Sequence, residues 1–169
     1  MPDRSGLTLV EVIIGALTLA LGIVSLLGAL VGQITLSEQA RSRLWANTDA
    51  SRVMEQLRRQ NHGATCTTPS ANPPAGFASW DAWLADTTAG GGGGKSVQPN
   101  PAANELVVVT ASGTDPLTVT VAACWRQRNR VIGECTWNGA ALSANPGAGG
   151  NPAITESTAM FTTTMTCRT

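Results

Sequence analysis

The hydrophobic pattern changes character three times along the chain. From Leu7 to Gly32 nearly every position is apolar, and Glu11 is the one charge in those 26 residues. A helix of that length is roughly 39 Å long, more than the roughly 30 Å of a bilayer core. After Gln33 the pattern turns amphipathic: Ala46, Ala50, Val53 and Leu57 recur at spacings of 4, 3 and 4, which places them on one helix face. Arg41, Arg43, Arg52, Arg58, Arg59, Glu38, Asp49 and Glu55 fill the other faces, with Glu55 and Arg59 spaced as a helix-supporting ion pair. No proline lies between Asp3 and Thr68, so one helix is expected from about Leu7 to about Gln60, stopped at Asn61-His62-Gly63 by the glycine.

The third regime is rich in Gly, Pro, Thr, Ala and Asn. Trp80 and Trp83, three apart, predict one short helical turn anchored in a core, and the run Gly90 to Gly94 reads as a flexible loop tip. Strand signals follow. Leu106 to Thr110 is a β-branched run, and Thr114-Asp115-Pro116 marks a turn. Leu117, Val119 and Val121 alternate with threonines as a half-buried strand reaching about Trp125. Val131–Trp137 is the next candidate, and Phe161, Thr163, Met165 and Cys167 alternate with threonines in the last. The expected fold is α+β: one long N-terminal helix packed on a roughly four-stranded antiparallel sheet. Its segments are residues 1–6, 7–32 (apolar helix half), 33–62 (amphipathic half), 63–105 (Gly/Pro-rich connection) and 106–169 (sheet).

Composition narrows the function. Of 169 residues 13% are charged, 11 basic against 11 acidic, which removes a bulk-basic nucleic-acid binder and a polybasic membrane-surface protein. There is one His, no Tyr, and no carboxylate pair or nucleophile motif. An enzyme is not expected, nor a cofactor, and no two Cys have the C-x₂₋₄-C spacing of a zinc site. Arg126, Arg128 and Arg130 alternate beside Trp125 at a hairpin tip, the one candidate for DNA contact. Three cations neutralise few phosphates, and a solvated loop is the simpler reading, so no nucleic-acid partner is expected.

Glu11 is the anomaly. A carboxylate near the start of an apolar span costs several kcal/mol unless paired. Arg4 lies seven residues upstream and is one partner; a cut after Gly6 would create another, the amino group of Leu7, four residues from Glu11. Polar residues 1–6 followed by the apolar run lack the small-residue cleavage site of a secretory signal after the run. Ser5-Gly6-Leu7-Thr8-Leu9-Val10-Glu11-Val12 resembles the class III signal of type IV prepilins and type II secretion pseudopilins. That resemblance implies a leader of residues 1–6, cleavage between Gly6 and Leu7 by a prepilin peptidase, N-methylation of Leu7, and a role for Glu11 in filament assembly. The pattern departs once, with Leu7 where the family usually has Phe.

Within that family the short leader, the helix end Val53–Arg59 and the Cys124-Trp125-Arg126 strand end look most like PilV-type minor pilins. The implied function is a non-enzymatic minor pilin of a bacterial type IV pilus, with prepilin peptidase and other pilin subunits as partners. The implied location is the inner membrane as a single-pass protein before assembly, then a surface filament, with the globular part periplasmic or extracellular. A minor pseudopilin of a type II secretion system shares the signal, and an uncleaved single-pass membrane protein with a periplasmic binding domain is a third reading. Where the family's major subunits carry a helix-breaking Pro, this chain has Gly28, with Gly15, Gly22 and Gly32 nearby. Gly22 to Gly28 is either a stretch that melts in a filament or, with Gly28 and Gly32 four apart, a helix-packing site.

All four Cys follow the helix, as expected of disulfides formed outside the cytoplasm; four reduced thiols in a cytosolic domain is the alternative. A hairpin centred on Asn129-Arg130 would set Cys124 opposite Cys135 and leave Cys66 for Cys167. The rival joins Cys135 to Cys167, closing a C-terminal loop like that of many pilins, and Cys66 to Cys124.

Overall fold

A computed structural model describes residues 8–63, 66–98 and 100–167. The leader expected at residues 1–6, with Gly6 and Leu7, lies outside the described residues. The chain forms two compact units, residues 1–40 and 41–169.

Helix α1 runs Leu9–Arg59 without a break. Within the first unit its apolar side chains are exposed all round, from Leu9 (76%) to Leu36 (66%). An 18-residue window there has mean hydropathy 2.4 and nothing buried, so this segment is long and apolar enough to cross a membrane. Glycines 15, 22, 28 and 32 all sit in regular helix.

In the second unit the helix uses the stripe its spacing predicts. Ala46, Ala50, Val53 and Leu57 are buried, with Met54 beside them. Glu55 and Arg59 pair on the exposed side at 3.5 Å, worth a few tenths of a kcal/mol. The helix ends at Arg59, so Gly63, in the left-handed region at φ 62°, lies beyond its last turn and is not the capping residue itself. Asn61 instead ties the helix end to the sheet, its Nδ2 donating to the Thr166 carbonyl.

The four-stranded antiparallel sheet is built around β2 (Leu117–Gln127). β1 (Glu105–Ser112) takes one edge, from Glu105↔Trp125 to Ser112↔Thr118. The other edge is shared end to end by β6 (Ala159–Met165), facing residues 117–123, and β3 (Arg130–Ile132), facing 125–127. Being central, β2 is buried on both faces from Val119 to Trp125 rather than half-buried as its alternation predicts. Alternation still sorts its side chains. Leu117, Val119, Val121, Ala123 and Trp125 join the main core with the α1 stripe, Trp80, Trp83, Leu84 and Val97. Cys124 and its partner across the ladder, Leu106, face the other way, into a smaller cluster with Cys135, Leu142, Val131 and Trp137.

That cluster is made by a second hairpin, β4 (Cys135–Trp137) and β5 (Leu142–Ala144). The single strand expected over 131–137 is therefore two, in different sheets. Gly133, at φ 94°, and Glu134 break it, and a Cβ on Gly133 would lie 2.8 Å from Cys124 Sγ. The connection over 63–105 holds two short helices, α2 (Trp80–Ala85) and α3 (Pro101–Asn104). In α2, Ser79 caps the N-terminus by accepting from Ala82 N–H, and Trp80 and Trp83 meet edge-on at 6.0 Å.

Candidate functional site: the exposed helix and the buried ionic cluster

At the helix start, Glu11 has a partner that neither Arg4 nor a new amine supplies. Its Oε2 accepts from Thr8 N–H at 3.0 Å and from Thr8 Oγ1 at 3.1 Å, and Glu11 N–H donates back to Thr8 Oγ1 at 3.4 Å. Thr8-x-x-Glu11 is a capping box, which satisfies donors left unpaired at a helix N-terminus. Thr8 is thus a partner beyond the two, Arg4 and the Leu7 amine, that the sequence offered. The T-x-x-E spacing is itself the sequence signal for this.

One face of the same segment was not singled out by its hydrophobicity. Thr8, Glu11, Gly15, Thr18, Gly22, Ser25, Ala29 and Gly32 follow one another at spacings of 3, 4, 3, 4, 3, 4 and 3. That is a 3.5-residue period of small or polar side chains on an otherwise apolar helix. The hydroxyls return to the backbone: Thr18 Oγ1 donates to the Gly15 carbonyl at 2.9 Å and Ser25 Oγ to that of Gly22 at 2.8 Å. Such a face lets a second helix approach closely without stranding a polar group.

The second unit concentrates its buried charge in one place. Asp49, fully buried on α1, pairs with Arg52 at 2.5 Å and accepts from Ser96 N–H at 2.6 Å and Ser96 Oγ at 2.9 Å. Arg52 Nη1 donates to the Gly92 and Gly94 carbonyls, at 3.1 and 2.9 Å. Gly92 N–H and Gly94 N–H donate to the carbonyls of Trp83 and Leu84 at 2.8 and 2.9 Å. The glycine run, expected as a flexible tip, is therefore a docked strap. Gly92 has a structural reason: a Cβ there would lie 2.6 Å from Leu84 Cα.

Lys95 and Asp81, 2.8 Å apart, cover the outer edge of β1. Lys95 Nζ donates to the Glu105 carbonyl at 2.6 Å, and Asp81 Oδ1 accepts from Val107 N–H at 2.9 Å. Glu105 is 1% exposed; its Oε2 accepts from Val97 N–H at 3.1 Å and its Oε1 has no hydrogen-bond partner. Burial, then the charge of Asp49, pushes its carboxyl up to about 8. Glu134 lies the other way: N–H groups of Glu156, at 2.8 Å, and of Gly149 hold its carboxyl below the usual range and anchor the loop after β5.

The structure joins Cys66 to Cys167 and Cys124 to Cys135, with Cα–Cα distances of 5.6 and 6.2 Å. The second bond does not come from the hairpin geometry expected. The turn is Arg128-Asn129, with Arg128 at φ 57° and Gln127 opposite Arg130, so the β3 ladder ends at Ile132 and Cys135 returns from β4. The same register corrects the arginine patch. Arg126 pairs with Val131 and Gln127 with Arg130, so Arg126 and Arg130 face opposite sides of the ribbon. Arg126 is also engaged, stacked 4.4 Å over the Trp137 ring and donating to Asn129 Oδ1 at 3.2 Å. These three arginines form no single DNA-facing surface. Among the described residues no group of three or more His, Cys, Asp or Glu converges as a metal site. No protein-family model, curated protein or solved structure matches the chain.

Proposed function

We propose that this chain is a minor pilin: a non-enzymatic subunit processed at Gly6-Leu7, held in the inner membrane by its helix and assembled into a surface filament through it. The observation that carries the reading is the exposed apolar helix with Glu11 at its start and a small-residue face along it. Such a surface is exposed among the described residues, and lipid before assembly and neighbouring helices afterwards are the environments that suit it. Two disulfides tying the globular part agree with a compartment outside the cytoplasm. The minor pseudopilin is the same reading with a different machine, and pilus-retraction genes or a secretin beside the coding sequence separate the two.

A second reading has its own support. Because Thr8 satisfies Glu11 without a new amine, an uncleaved single-pass protein needs no processing to hold that carboxylate. Intact mass of the chain from its native membrane fraction decides. The pilin reading expects a chain beginning at N-methylated Leu7, and retention of the leader in Gly6→Ala. Native, working protein that still carries Met1 overturns it.

A further inference from the structure

We infer that Lys95 and Asp81 are the two halves of an intramolecular isopeptide bond, an amide between Nζ and Cγ that covalently ties the glycine strap to α2. Lys95 is the one lysine in the chain, and its side chain is 3% exposed. A lysine that served as an ordinary surface cation would not be spent there. Its nitrogen lies 2.8 Å from Asp81 Oδ2, and the two groups act together on the edge of β1 as a neighbouring peptide group would. Asp81 Oδ1 takes the Val107 N–H, and Nζ gives a hydrogen to the Glu105 carbonyl. An amide between them keeps both bonds: its carbonyl oxygen is Oδ1 and its N–H is on Nζ. Condensation therefore preserves the edge pairing and removes two charges, one of them almost wholly buried.

The chemistry is a dehydration and needs no other reactant. The ammonium passes a proton to the Asp81 carboxylate, leaving an amine and a carboxylic acid. The nitrogen lone pair forms the N–C bond at Cγ, and Val107 N–H holds Oδ1 as negative charge builds there. The proton that the nitrogen then sheds passes to the Oδ2 hydroxyl beside it. The C–Oδ2 bond breaks with its electron pair and water leaves by way of Asp81, which is 24% exposed. Nothing is oxidised or reduced.

Peptide mapping of the reduced, alkylated and denatured full chain tests this. No Lys or Arg lies between Arg59 and Lys95 or between Lys95 and Arg126. Free Lys95 gives tryptic peptides 60–95 and 96–126. The amide blocks cleavage at Lys95 and gives a single peptide 60–126, about 18 Da light for the lost water. Lys95→Arg should restore cleavage and full mass. Wild-type protein cleaved after Lys95 at full mass overturns the bond, whatever the variants do. A mass deficit that persists in Lys95→Arg overturns the site.

Discussion

Glu105 should make this protein more stable in mild acid than at pH 8. Its carboxyl lies in the core, where burial first and the Asp49 charge second raise its pKa from 4.5 to about 8. The Val97 N–H and the charge of Lys95 pull the other way and lose. The charged groups of this cluster come from every element around it: Asp49 and Arg52 from α1, Asp81 from α2, and Lys95 from the strap. Between pH 4.5 and 8 the native state holds a proton that the unfolded chain has released. Stability therefore falls as pH rises, by at most about 1.4 kcal/mol per pH unit. Over the whole window that is about 5 kcal/mol, and above pH 8 the slope from this group vanishes.

The assay is the unfolding midpoint of the full chain in detergent, disulfides intact, followed by tryptophan fluorescence from pH 5 to pH 8. Trp80, Trp83 and Trp125 are all buried and report the core. Wild type should lose stability steadily across that range. Glu105→Gln keeps a neutral side chain at every pH, so its midpoint should be flat and should exceed that of wild type at pH 8. A wild-type midpoint that is flat or rises towards pH 8, or a slope that survives in Glu105→Gln, refutes the reasoning.

Arg52→Ala should destabilise by about 3 kcal/mol, since it leaves Asp49 buried without its cation, and should speed amide exchange across Gly92 to Ser96. Gly92→Ala forces its new methyl against the α2 backbone and should cost about 1–3 kcal/mol, whereas Gly90→Ala, with open space around it, should stay within about 0.5 kcal/mol; thermal melts compare them. Replacing Cys66 and Cys167 together by Ala should cost about 4–5 kcal/mol and the Cys124/Cys135 pair about 3, following sequence separations of 101 and 11. Denaturant titration ranks the two.

The sequence made the periodic elements legible and the non-periodic ones not. The α1 stripe, the anchoring tryptophans and the alternation in β2 are read directly, because burial repeats at 3.6 or 2 residues. What β2 pairs with is not in its own pattern: only the return of both β3 and β6 to one edge makes it central and buries its threonine side. The break at Gly133 was hidden within an apolar run, since a single glycine at positive φ changes the chain's direction without changing its composition. Glu11 was legible as an anomaly but its partner was missed, because the threonine three residues before it is a local backbone solution and not a second charge.

The glycine strap shows how a chain with so few charges orders a segment that has no propensity to order itself. Glycine-rich backbone loses more entropy on folding than any other, and no strand or helix period exists there to repay it. Fixed side-chain donors and acceptors do so instead. Asp49 takes the Ser96 N–H, Glu105 the Val97 N–H and Asp81 the Val107 N–H, while Arg52 and Lys95 supply donors to the carbonyls of Gly92, Gly94 and Glu105. The bonds made by Asp49 and Arg52 are charge-assisted, stronger than the peptide–peptide bonds they replace. The strap, α2 and the first edge of the sheet are thus held by one polar cluster, in which removal of Arg52 leaves the buried Asp49 charge without its cation. Low net charge and low total charge are then no sign of an electrostatically idle protein: Asp49 and the Lys95 side chain are inside the second unit, making bonds that a neighbouring strand would otherwise make.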